Sequence, residues 1–203
     1  MMCLAMALNF LAVYLTTFSH TFGTASGLTT EQLGRIPAVM FLSFIVAILI
    51  TGPLADRASI QLIIRFALVT TLLGLGLVAV APSYTLLLFA VAVMGFGAGM
   101  LDMILSPIVA ALQPERRSAA MNWLHAYFCI GAVAAVLIAS VALQWGISWR
   151  TVALILIVGI IAAYADLHIG LLAVTFCPAA MMLLLVWMSR CSRRKKPATT
   201  ALC

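Results

Sequence analysis

Asp102 is a lone carboxylate inside a long apolar run, between Met100-Leu101 and Met103-Ile104. A charge is costly to hold in hydrocarbon, so an ionisable residue there is a functional candidate by default. It can carry a coupling proton or contact a cation; the plainer alternative is a neutral, hydrogen-bonded structural acid. Asn122 and His125 stand three residues apart in another apolar run and so share one face of a helix. They can bind a polar solute or relay protons. The adjacent pair Arg116-Arg117 supports a second reading, hydrogen bonding near the mouth of a bundle.

Other chemistries lack their signatures. There is no P-loop, no nucleophile–base constellation that spacing supports, and no haem or metal motif, so no cofactor is expected. Cys3, Cys129, Cys177, Cys191 and Cys203 form neither a CxxC pair nor a Cys/His metal spacing. An intramembrane protease or lipid-modifying enzyme needs paired catalytic groups at membrane depth. Asp102 with His125 is the only pair on offer, and the enzyme reading ranks third.

The elements that must position these residues are apolar runs. Hydrophobic residues make up 66% of the 203-residue chain and charged residues 8%, with a mean hydropathy of +1.23. A soluble domain has no interior for that much apolar surface, and runs of about 20 residues are read as membrane-spanning helices. The formal charge of +6 sits in connectors and the tail, where membrane orientation accounts for it and nucleic acid does not.

The first helix is predicted over Met1–Phe22, as a first membrane span in place of a removed signal peptide. A polar connector, Gly23–Arg35, leads to a second helix from Ile36-Pro37 to Gly52-Pro53. A third follows the connector Asp56–Gln61 and ends near Val80. After the turn Ala81-Pro82-Ser83-Tyr84, a fourth runs over Thr85–Leu112, with Ser106-Pro107 bending it. The fifth spans Ala119–Leu143, after the connector Gln113–Ser118, and Trp145 and Trp149 bracket a turn suited to an aromatic belt. Asp166 and His168 divide the remainder into Arg150–Ala165 and a possible seventh apolar segment, 167–189, before the basic tail 190–203. Six crossings place nine basic residues on the side of the tail and two, Arg35 and Arg150, opposite; seven crossings would give four and seven. The positive-inside rule therefore favours six, with both termini cytoplasmic.

Three stretches carry a family resemblance. Gly52-Pro53-Leu54-Ala55-Asp56-Arg57, with Arg65 after it, resembles the G-x-L-a-D-R-x-G-R-K connector of the major facilitator superfamily. The match holds at Gly52, Leu54, Asp56 and Arg57 and departs at Ser59, Ile60 and Gln61. Gly95-Phe96-Gly97-Ala98-Gly99 resembles the family's glycine-rich fourth helix, although the Arg that often precedes it is missing. Asn122 to Gly131 is similar to an N-x-x-H-x-x-[FY]-x-x-G run in sugar-type branches, and Trp149-Arg150 to the start of the sixth helix. The resemblance covers about residues 1–165.

It implies an all-α integral membrane fold, a six-helix major-facilitator-like bundle, and secondary transport of a small polar solute by alternating access. Gly52, Asp56, Arg57 and Arg65 would form the conformational-switch loop. The family's first and fourth helices line its central cavity, which makes Asn9 and Tyr14 lining candidates beside Asp102; His20 sits near the outer end. Transporters of this family pair two such bundles, so the second would be another copy of this chain or a second half-transporter. The alternative is a truncated or partner-dependent bundle without transport of its own. Lipid and a small-molecule solute are the expected partners, with the plasma (inner) membrane as location.

Overall fold

In hydrocarbon an apolar run must satisfy its own backbone, which a helix does. The computed structural model describes residues 1–23 and 27–165, and these form seven α-helices and one 3-10 turn, at Pro114–Arg116. The helices are α1 (Met2–Val13), α2 (Leu15–Phe22), α3 (Thr30–Ala55), α4 (Ile60–Val80), α5 (Tyr84–Leu112), α6 (Arg117–Gln144) and α7 (Trp149–Ala165). Asp166, His168, the apolar segment 167–189 and the basic tail lie outside the described residues. Four helices, α3 to α6, are each long and apolar enough to cross a membrane. α1 and α2, bent by 54° at their junction, are together long and apolar enough for a further pass, and α7 is a shorter apolar helix of 17 residues.

Two boundaries differ from expectation for local reasons. α3 starts at Thr30, well before Ile36, because Thr29 and Gln32 close a capping box. The Thr29 hydroxyl accepts from the Gln32 amide at 3.2 Å, and the Gln32 side chain accepts from the Thr29 amide at 3.0 Å. Glu31 then pairs with Arg35 one turn on. The first span is broken at Tyr14, where one continuous helix was expected. Neither proline nor glycine marks the break. Packing turns the chain instead: Phe18 stacks edge-on against Trp149 at 5.2 Å, and Phe22 tilts over the same indole at 6.1 Å.

Contacts set the direction of each pass. Met40 and Phe44 of α3 meet Gly95 and Gly99 of α5 in rising order, so these helices run parallel. Gly74 and Thr71 of α4 meet Met94 and Gly97 of α5 in reverse order. α1 runs with α6, because Met2 lies on Gly131 while Tyr14 reaches Ile147 just past the end of α6. α7 opposes α1, with Val152 and Leu156 beside Phe10 and Met6. The passes therefore alternate, with Arg57, Arg116 and Arg117 at one end of the bundle and Arg35 and Arg150 at the other.

The Arg150 end is tied by polar contacts. The Tyr84 hydroxyl donates to the Gln32 carbonyl at 2.7 Å. The Arg150 guanidinium lies 4.7 Å above the Trp149 ring and donates to the Ala81 carbonyl at 3.3 Å. α6 stops in a Schellman turn, in which Ile147 N–H donates to Ala142 at 2.9 Å, Gly146 N–H donates to Leu143 at 3.0 Å, and Gly146 adopts φ 70°.

α5 is the centre of the bundle, packed on α3, α4 and α6. The buried hydroxyls Thr51 and Thr71 bond back to the carbonyls of Ala47 and Ala67, so neither is left unpaired between helices. A side chain at Gly97 would run into the Thr71 and Ala67 backbone, whereas nothing lies within 4 Å of the equivalent position at Gly76. Gly97→Ala is expected to cost about 1–3 kcal/mol by overpacking, and Gly76→Ala to gain up to about 1 kcal/mol from helix propensity. Thermal unfolding of both variants in detergent checks this; equal melting temperatures would show that α4 and α5 do not approach so closely.

Candidate functional site

Asp102 lies on α5, three residues past Gly99, whose contact with α3 holds α5 in place. It is half-buried. Among the described residues, His125 of α6 and the chain start at Met1 lie near enough to act on it electrostatically. The structure thus brings together two residues 23 positions apart in sequence. The Ser106 hydroxyl lies 3.4 Å from the Asp102 carbonyl. Asn122 and His125 are both exposed on the first turns of α6. Gly131 meets the beginning of α1, so α6 extends about 20 Å beyond it toward the Arg57 end. α1 therefore does not cover the stretch that carries these two residues.

Asn9 is half-buried on α1 and donates from its side-chain nitrogen to the Ala5 carbonyl at 2.8 Å. It lines a cleft of about 220 Å³ between α1, α3 and α6, together with Leu11, Ala12, Pro37, Met40 and Phe128. Tyr14 does not line this cleft. Five residues on from Asn9, it turns inward, is fully buried, packs edge-on against Phe10 at 6.4 Å, and points its hydroxyl at the Ile147 carbonyl 3.5 Å away. Its position is at the bend of the first span.

In the α3–α4 connector, Gly52 is half-buried opposite the methyl end of Met103, which lies 3.7 Å from where a Cβ would be. Asp56 caps the C-terminus of α3; Asp56, Arg57 and Arg65 are all exposed, and none forms an ion pair among the described residues. The connector residues therefore sit apart from both Asp102 and the cleft. Among the described residues, no three His, Cys, Asp or Glu side chains gather as metal ligands would. Pro37 and Phe128 were not singled out from sequence. Pro37 carried a usable signal, although it was read as a helix start; Phe128 is the [FY] position of the run from Asn122 to Gly131, which was used for the family resemblance and not for a site.

Alternating apolar passes packed through a glycine-rich central helix define an integral membrane bundle. The chain belongs to the Major Facilitator Superfamily, whose sequence profile matches residues 1–202. No curated protein matches it. Members of this superfamily are membrane transporters, which agrees with the apolar passes seen here.

Asn9 borders the cleft, whereas Phe10 next to it is 1% exposed. In a background without native cysteines, Asn9→Cys is expected to react with a membrane-impermeant thiosulfonate at least ten-fold faster than Phe10→Cys. Comparable rates at the two positions would mean the cleft holds no water.

Proposed function

We propose that this chain forms one bundle of a secondary transporter that moves a small polar solute, sugar-like or carried together with protons. The observation that supports it best is the half-buried carboxylate of Asp102 on α5, within electrostatic reach of His125 on α6, beside a cleft that reaches Phe128 one turn further along α6. A carboxylate and an imidazole within reach of one another, directly or through water, can pass a proton between them, and solute movement can depend on which of the two holds it. Alternating access then requires a second bundle to rock against this one. A second copy of the chain can supply it, since a two-fold axis along the membrane normal can replace the family's pseudo-axis; so can a half-transporter of different sequence.

The positive-inside rule supports an orientation in the plasma (inner) membrane with the Arg57, Arg116 and Arg117 end in the cytoplasm. Asp56, Arg57 and Arg65 are then exposed where a facing bundle can meet them, which suits the role of a conformational switch.

Uptake of labelled sugars and other small polar solutes into proteoliposomes, driven by an imposed pH gradient, tests the proposal. Asp102→Asn is expected to lower gradient-driven uptake at least ten-fold and His125→Gln several-fold. Absence of uptake by the unmodified chain, or undiminished uptake by Asp102→Asn, would overturn it.

A further inference from the structure

One face of α6 carries a guanidinium, an aromatic pair and then an aliphatic residue, in that order from its Arg116 end inward. Arg116 is the residue on which α6 begins, and Trp123, Tyr127 and Ile130 follow it at spacings of seven, four and three. Those spacings place all four within about 30° of one line along the helix. All four are exposed, Trp123 at 64% and Tyr127 at 48%. The two rings tilt against each other with centroids 6.2 Å apart. Arg117 adds a second exposed guanidinium, so the connector sets two arginines against Glu115, and none of the three forms an ion pair among the described residues. The opposite end of the bundle uses the same residue types differently. Trp149 is buried there, and Arg150 lies over its ring and donates to the Ala81 carbonyl. That pair is satisfied inside the protein; the α6 residues face outward.

Depth gives this order its meaning. Trp123 lies about 10 Å along α6 from Arg116, and Ile130 about 10 Å further in. Indole and phenol rings favour the level just below the headgroups, where the polar edge can donate while the ring stays in apolar surroundings. A guanidinium outside them can grip a phosphate through two parallel hydrogen bonds. An exposed aliphatic side chain inside them meets an acyl chain. We infer that this face of α6 is a binding site for one anionic phospholipid. Its phosphate would sit at Arg116, its glycerol region against Trp123 and Tyr127, and an acyl chain along Ile130 toward Leu137, which continues the exposed face. Arg117 selects for net negative charge, because the ammonium of a zwitterionic headgroup would be brought up against a second arginine. On the proposed orientation the lipid comes from the cytoplasmic leaflet, whose anionic lipids attract basic segments. The inference does not depend on transport.

The test is quenching of Trp123 fluorescence by brominated lipid, with the full chain in phosphatidylcholine nanodiscs. A fixed minor fraction of the lipid is either dibrominated phosphatidylglycerol or dibrominated phosphatidylcholine. The Trp123 signal is the difference between the unmodified chain and Trp123→Phe. Brominated phosphatidylglycerol is expected to quench it about two-fold or more as strongly as brominated phosphatidylcholine. Arg116→Gln is expected to remove that preference, and Arg116→Lys, which keeps the charge, to retain most of it. Arg57→Gln, at the same end of the bundle but on another connector, is expected to leave it unchanged. Equal quenching by the two lipids overturns the inference, as does a preference that survives Arg116→Gln. An equal loss on Arg57→Gln would show a general attraction to this end of the bundle, and quenching by neither lipid would show that protein covers the face; either result overturns the site. Solute uptake enters none of these readings, so this inference and the transport reading fail separately.

Discussion

The bundle depends on how closely α5 can approach its neighbours. Lipid tails are as apolar as leucine, so helices in a membrane gain little from burying apolar surface against one another; close van der Waals packing must hold them. Gly95 and Gly99, one turn apart, let α5 settle on the backbone of α3 at Met40 and Phe44, while Gly97 between them lets α4 approach at Thr71. One stretch of five residues thus fixes three helices. Asp102 follows immediately along the same helix, so the glycines also determine where the carboxylate sits. It stands beside the ridge that grips α3 and lies near His125 on α6. Any residue larger than glycine on that ridge would push α5 away and carry Asp102 with it.

Much of the fold was legible because membrane helices are written in composition. The limits of α4, α5 and α6 fall within one or two residues of where the apolar runs and the Ala81-Pro82-Ser83 turn put them. The early start of α3 was also written locally, in the capping pair Thr29 and Gln32. That stretch was read as connector because its residues are polar: Thr29, Thr30, Glu31 and Gln32. The break at Tyr14 was not legible. Its cause is the packing of Phe18 and Phe22 on Trp149, more than 120 residues away, and no local pattern reports such a contact.

The candidate site divides along the same line. Asp102 could be found because an ionisable group in an apolar run is costly wherever it points, and Asn122 with His125 could be paired from helical spacing. That Asp102 and His125 come within electrostatic reach depends on the α5–α6 packing. Asn9 and Tyr14 show the limit of assigning a whole helix to a cavity wall. Residues five apart face different ways, and the fully buried ring of Tyr14 serves the bend while Asn9 borders the cleft.

The polar features of the bundle are graded along its axis. Gly95 is level with Met40 in the cleft wall, and Asp102 lies seven residues beyond it, or about 10 Å nearer the Arg57 end. The polar side chain in the cleft lining is the Asn9 amide, which does not titrate. Asp102 and His125 lie beyond it, toward the Arg57 end. Phe128 joins them, since it lines the cleft and stands one turn from His125 on the same face of α6. A solute seated in the cleft would therefore reach Asp102 and His125 only through the α6 helix and this ring. On the proposed reading, coupling passes through a shift of α6 against α1, and Gly131, where α6 meets the start of α1 without a side chain between, is the contact about which such a shift would turn.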